Sequence, residues 1–140
     1  MPKSTKPRYG WVYAPAKAAP PAVPAALKRE VEEKANALVA TVLKPRYVKA
    51  PPENPQFNYI EDIRTKWYRS FFYFSAIYRS AGPHALGGQF ETKFARMKYT
   101  GADRFDLAFM RHTDAWFELL MARTVDECLE SIGDDPLFHP

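Results

Sequence analysis

Fifteen residues from Thr65 to Arg79, TKWYRSFFYFSAIYR, carry seven aromatic rings. Successive side chains of a β-strand point to opposite faces, so this run places rings on both faces. A strand that is apolar on both faces is normally central in a sheet and covered on both sides. We therefore predict that the run is a strand buried in the core or at a subunit interface. The alternative is a stacking surface for nucleic acid, because Lys66 and Arg69 lie among the rings.

An amphipathic helix is predicted upstream of this run. Pro24 suits the first turn of a helix, and apolar residues follow it at steps of three and four. They are Leu27, Val31, Ala35, Leu38 and Val42. Because the residue before a proline is disfavoured in the α conformation, we expect the helix to end before Pro45. The four prolines of residues 45–56 then predict a connector to the next element.

The hydrophobic period changes from 3.6 to 2 at Phe57, and the alternation continues to Met121. This pattern predicts strands, and it is clearest in RFDLAFMR. Polar interruptions of the pattern predict tight turns at two places, TGAD (residues 100–103) and HTD (residues 112–114). Four or five antiparallel strands result.

A second helix is predicted after the last strand. Thr124 and Glu127 have the spacing of a capping box, in which each side chain hydrogen-bonds to the backbone amide of the other residue. Gly133 is suited to the last turn, and Pro136 stops the helix. The elements together predict an α+β fold with an N-terminal helix, a four- or five-stranded antiparallel meander and a short C-terminal helix.

An extended, Pro-rich arm precedes the predicted domain of residues 24–140. Residues 1–23 contain five of the thirteen prolines, four lysines or arginines and no acidic residue. This composition favours an extended chain. Tyr9, Trp11 and Tyr13 alternate in the arm, so we predict that these three residues dock onto the domain itself or onto a partner. The other reading is a solvated tail that contains aromatic residues.

Composition limits the class of protein. A chain of 140 residues is close to the commonest size of one domain. The formal net charge of +4 favours an anionic partner without identifying it. A single cysteine, Cys128, excludes an intramolecular disulfide and fits a reducing compartment. We therefore expect a cytoplasmic protein. No uncharged apolar run reaches about 18 residues, so we expect no membrane span.

Three segments of the C-terminal half are KFARMKYT, RFDLAFMRHTDAW and TVDECLESIGDD. Through these segments, residues 89–135 resemble a small bacterial family of unassigned function. The resemblance implies strands that end in a Met-Arg turn, a Trp shortly after that turn, and a short acidic helix. It implies a bacterial source, and it carries no activity over to this chain.

Catalytic chemistry is not favoured by the sequence. His112 and Asp114 could form a general-base pair with Glu118 nearby, but polar residues are also what a hairpin turn requires. Cys128 lies on the apolar face of the last helix, where a cysteine behaves as a small hydrophobe. Neither a metal-binding motif nor a nucleotide-binding glycine motif occurs. We predict no catalytic residue, no metal and no cofactor; a small enzyme with a pocket between helix and sheet is the third alternative.

Two binding functions therefore remain. The first prediction is an assembly module that forms a homodimer or binds a protein partner, because two short helices can hardly cover both faces of the aromatic strand. The alternative is a single-stranded nucleic-acid-binding protein that uses a basic and aromatic sheet face. The residues predicted for that face are Lys66, Arg69, Tyr78, Arg79, Lys93, Arg96, Lys98 and Tyr99, with Tyr68 as a further stacking platform.

Overall fold

The protein is one antiparallel sheet with helices on one of its faces, as described by a computed structural model for residues 21–51, 53, 57–80 and 88–140. The helices are α1 (Ala25–Leu38), α2 (Lys44–Tyr47) and α3 (Val125–Asp134), and the strands are β1 (Tyr59–Tyr68), β2 (Phe71–Arg79), β3 (Gln89–Gly101), β4 (Arg104–Met110) and β5 (Trp116–Arg123). The strands pair in the order β1-β2-β3-β4-β5. The predicted α+β meander between two helical segments is therefore confirmed.

The aromatic run forms a hairpin and not one long strand. β1 ends at Tyr68 and β2 begins at Phe71, with Arg69 in the left-handed conformation at φ 56°. The amide of Tyr99 donates a 2.9 Å hydrogen bond to the carbonyl of Ser70, which ties the turn to β3. The prediction of a single strand with two apolar faces was wrong, because the turn contains no glycine, proline or asparagine to mark it.

The N-terminal helix also differs from its prediction. A π-helical turn at Val39–Leu43 joins α1 to α2, so helical backbone continues from Ala25 to Tyr47 and passes Pro45. A proline inside a helix removes one backbone donor and crowds the carbonyl four residues before it. The wider π turn directly before Pro45 relieves this crowding, and Lys44 keeps the α conformation with φ −63° and ψ −46°. The expectation that the helix ends before Pro45 was therefore wrong.

The core lies between the helices and one face of the sheet. From the helices it contains fully buried Val31 and Cys128, and from the strands Phe72, Phe74 and Leu107. Helices α1 and α3 approach closely: a Cβ on Gly133 would meet the Leu38 side chain at 3.3 Å. The predicted capping box of α3 is confirmed. None of the helices in the described ranges is long and apolar enough to span a membrane.

The register of the sheet decides which rings belong to the core. Residues directly across from one another on neighbouring strands share a face. One such row on the helix side is Trp67, Phe72, Met97, Leu107 and Leu120. Trp67 also donates a 3.4 Å hydrogen bond from its indole to the carbonyl of Lys28 in α1, which attaches the first strand to the helix.

Candidate functional site

The face of the sheet opposite α1 and α3, which we call the open face, carries the candidate site. No helix in the described part of the chain packs on this face. A cross-strand row runs over all five strands on it and consists of Lys66, Tyr73, Arg96, Ala108 and Glu118. The rows beside it add rings and cations to the same surface: Tyr68, Phe71 and Lys98 on one side, and Arg64, Ser75 and Lys93 on the other. Trp116, paired with Met110, completes the face on β5.

Arg96 lies at the centre of the open face between two rings. Its guanidinium carbon is 5.1 Å from the centroid of Phe71 and 4.8 Å from that of Trp116. Its Nη2 is 3.9 Å from the carboxylate of Glu118, and its buried Nε has no hydrogen-bond partner in the described part of the chain. A guanidinium held in this way presents donors in a fixed orientation, which suits a phosphate or carboxylate.

A shallow groove lies beside Arg96, toward the first strand. Its volume is about 350 Å³. The residues that line it, which define the Tyr73 groove, are Lys66, Tyr68, Tyr73, Ser75, Glu91 and Lys93. The Lys93 ammonium lies 5.4 Å from the ring centroid of Tyr73, and the ring of Phe71 stacks beside Tyr73 at 5.9 Å. Rings and ammonium groups therefore alternate along this part of the surface.

A β-bulge places the cations of β3 on the open face. Phe74 pairs with Ala95, while its neighbour Ser75 pairs with Lys93, so Phe94 is the extra residue. Both Phe94 and Ala95 are buried on the helix side. A bulge of this kind changes the alternation by one residue, which lets Lys93 and Arg96 share a face although they are three residues apart.

Four of the predicted nucleic-acid-binding residues meet on the open face: Lys66, Lys93, Arg96 and Lys98.

Arg69 lies in the β1–β2 turn, with its guanidinium 5.2 Å from the ring of Tyr68, which is 52% exposed. Arg79 is at the far end of β2 and makes a 2.7 Å ion pair with Glu61. The hydrogen bond from Arg79 lowers the pKa of Glu61.

The two other predicted residues lie on the helix side of the sheet. Tyr99 is only 5% exposed and packs 5.3 Å from Phe105 in the core, so its ring is not available for stacking with a ligand. Tyr78 stacks on Phe90 at 5.1 Å, and burial raises the pKa of Tyr78. The inclusion of Tyr78 came from treating the aromatic run as one strand, which misplaces the faces after the turn. Tyr99 lies outside that run, on the face of β3 opposite to Arg96 and Lys98.

Three ring positions of the site were missed by the sequence analysis, namely Phe71, Tyr73 and Trp116. Phe71 and Tyr73 follow from the alternation in β2 once the turn at Arg69 is known. Trp116 has no comparable signal, because register shifts interrupt the pairing of β4 with β5. The residues predicted to bind a partner, Tyr9, Trp11 and Tyr13, lie outside the described residues.

The residues considered for catalysis, His112 and Cys128, lie in surroundings that do not favour catalytic chemistry. Backbone hydrogen bonds of 2.9 Å between Arg111 and Ala115 and between Asp114 and Arg111 close the turn that contains His112. Burial, with the nearby carboxylate of Glu127, raises the pKa of the Cys128 thiol to about 12, which does not suit a nucleophile. Within the described ranges, no group of three or more His, Cys, Asp or Glu residues could hold a metal ion.

Comparison with known proteins adds a family to this description. No curated protein and no solved structure is significantly similar to the chain. A family match covers residues 23–140, and its description is "Domain of unknown function (DUF3024)". The resemblance to a family of unassigned function is thereby confirmed, over a longer part of the chain than the sequence motifs covered. This protein belongs to the DUF3024 family.

Proposed function

We propose that this protein is a binding module whose open face binds single-stranded nucleic acid. The observation that carries the proposal is the position of Arg96 between Phe71 and Trp116, beside the row that contains Tyr73 and Lys66. Exposed bases stack on aromatic side chains, and neighbouring cations neutralise phosphates. The open face offers both kinds of group within one row and its two neighbours.

The distribution of charge favours nucleic acid over a protein partner for this face. Protein interfaces are depleted in charged residues at their centre, and lysine is among the depleted residues. On the open face, Lys66, Lys93, Lys98 and Arg96 lie among the rings and not at a distant rim. Acidic groups are also present, with Glu118 next to Arg96. The open face therefore carries charges of both signs, and its cations are most numerous along β3.

The expectation of protein contacts depended on an aromatic strand with two apolar faces. In the hairpin, the rings of Phe72 and Phe74 are buried under the helices. The rings of Phe71 and Tyr73 lie among cations instead. A homodimer or a protein partner stays a prediction. Sedimentation equilibrium of the chain at several micromolar concentrations tests the homodimer.

Fluorescence anisotropy tests the proposal. Labelled oligo(dT) and oligo(U) are titrated with the full chain at two or more salt concentrations. Three engaged cations, Lys66, Lys93 and Arg96, predict a slope of log K against log salt of about −2, because each neutralised phosphate of a single strand contributes about −0.7. We expect Tyr73→Ala to raise the Kd by about tenfold, since stacking contributes about 1–3 kcal/mol per base.

Matched variants separate this face from general charge. Arg29→Ala removes an exposed cation of α1 and Phe90→Ala removes a ring of the helix side; neither should change the Kd by more than about twofold. Polyglutamate of equal length measures attraction by charge alone. Equal affinity for polyglutamate, together with no effect of Tyr73→Ala, would instead indicate an acidic protein partner. No binding of either oligonucleotide at low salt would refute the proposal.

A further inference from the structure

The Tyr73 groove has features that a general nucleic-acid surface does not need. It is a concave site on the open face, and it contains a carboxylate as well as rings and ammonium groups. We propose that this groove is a guanine site, in which the strand bound to the open face places one guanine base. The inference rests on the proposed function and names the base that the groove prefers.

The size and walls of the groove suit one base. A volume of about 350 Å³ is at the lower end of the range for small-molecule pockets. Tyr68 and Tyr73 supply rings from two neighbouring strands, and Ser75, only 3% exposed, lines the groove with them. A flat aromatic ligand gains contact with both tyrosines, as a base does in single-strand recognition.

Glu91 supplies the discrimination between bases. It is exposed on β3 opposite Ile77 and has neither an ion pair nor a side-chain hydrogen bond with any residue that the structure describes. A carboxylate accepts hydrogen bonds through both oxygens. Guanine presents two adjacent donors, N1–H and the 2-amino group, which match that pair of oxygens. Adenine and cytosine place an acceptor nitrogen beside their amino group, and the single donor of thymine lies between two carbonyls.

The lysines complete the complementarity to guanine. Glu91 and Lys93 are two residues apart on β3, so their side chains leave the same face about 7 Å from one another along the strand. Guanine O6 lies next to N1–H, and an ammonium is a good donor to that oxygen. Lys66 lies on the opposite wall of the groove, and in this arrangement it neutralises the phosphate of the same nucleotide.

Oligonucleotides with one variable position test the inference. An eleven-residue thymidine strand carries guanine, inosine, adenine, cytosine or thymine at its centre, which avoids the self-association of guanine runs. We expect the guanine strand to bind about tenfold more tightly than the thymine strand. Inosine lacks the 2-amino group and should lose most of that gain. Glu91→Gln should reduce the preference to about twofold or less, whereas Glu33→Gln, which neutralises an exposed carboxylate of α1 outside the open face, should leave the preference unchanged.

The possible outcomes separate this inference from the proposed function. Equal binding of all five strands overturns the guanine site and leaves nucleic-acid binding in place. A guanine preference that persists in Glu91→Gln also overturns the assignment, because another group must then read the base. If no strand binds, the proposed function fails. Titration with guanosine 5′-monophosphate, followed by NMR, then tests separately whether the groove binds guanine. Chemical-shift changes at Glu91 and Tyr73 would support it, and their absence would refute it.

Discussion

The rings of Trp67 and Phe72 lie 5.0 Å apart on the two sides of the β1–β2 turn, and both face the helices. Phe71, the residue before Phe72, points to the other face of the sheet and contacts Arg96. The two consecutive phenylalanines therefore have different roles. Phe72 belongs to the core, and Phe71 belongs to the candidate site.

This difference predicts unequal costs for two neighbouring substitutions. Phe72→Ala removes a fully buried ring and should lower the free energy of unfolding by about 3–5 kcal/mol. Phe71→Ala removes a half-buried ring and should cost about 1 kcal/mol. Urea unfolding followed by tryptophan fluorescence measures both. Equal costs would show that the open face is covered to the same extent as the core.

Cys128 should be protected from thiol reagents in the folded protein. Burial raises the pKa of the Cys128 thiol to about 12, so the reactive thiolate is scarce at pH 8. We expect the reaction with a disulfide reagent to be slow in native buffer and fast in urea. Rapid labelling of the folded chain would contradict the burial of this thiol.

The capping box of α3 should make stability depend on pH. The hydrogen bond from the amide of Thr124 lowers the pKa of Glu127 below its ordinary value of 4.5. A carboxyl whose pKa is lower in the folded state contributes stability that is fully present above the unfolded value and is lost as the pH falls through the folded value. We expect the urea midpoint to decline from about pH 5 downwards, and Glu127→Gln to make the decline shallower. An unchanged decline in that variant would contradict the role of the cap.

Thr124→Ala tests the same cap at neutral pH. Loss of a threonine N-cap typically costs about 1 kcal/mol. Thr113→Ala, in the exposed β4–β5 turn, is the matched control and should change the free energy of unfolding by less than about 0.5 kcal/mol. A smaller loss for Thr124→Ala than for its control would show that α3 does not depend on the capping box.

The β3–β4 turn offers a stabilising substitution. Ala102 and Asp103 have φ of 51° and 58°, the left-handed conformations of a two-residue type I′ turn. Alanine is strained in this conformation, whereas asparagine followed by glycine is the preferred pair. The double substitution Ala102→Asn with Asp103→Gly should raise the free energy of unfolding by about 1 kcal/mol, measured by urea unfolding. A loss of stability would mean that Asp103 makes a contact that glycine cannot replace.

Several parts of the fold could be predicted because their signals are local. The capping pair Thr124 and Glu127 lies within one helical turn, and the strand period is read from neighbouring residues. The hairpin at residues 100–103 contains a glycine and an aspartate. The turn at Arg69 has no such residue, and the rings on both sides of it continue the alternation. The sequence pattern therefore could not locate it.

The candidate site was predictable only in part for a related reason. Lys66, Lys93, Arg96 and Lys98 were identified by charge within strands, and they do share one face. Tyr99 was assigned to that face but is buried in the core. The bulge at Phe94 and the turn at Arg69 each change which face a residue occupies. Neither irregularity has a sequence signal as strong as alternation itself.

The sequence by itself determined the class of the fold, because hydrophobic period, caps and turn residues act over a few neighbouring positions. The tertiary structure decided which rings are core and which are surface. That decision depends on which sheet face α1 and α3 cover, and on the pairing of strands that are far apart in the chain. Packing of this kind places Phe72 under the helices and leaves Phe71 beside Arg96, although the two residues are identical and adjacent.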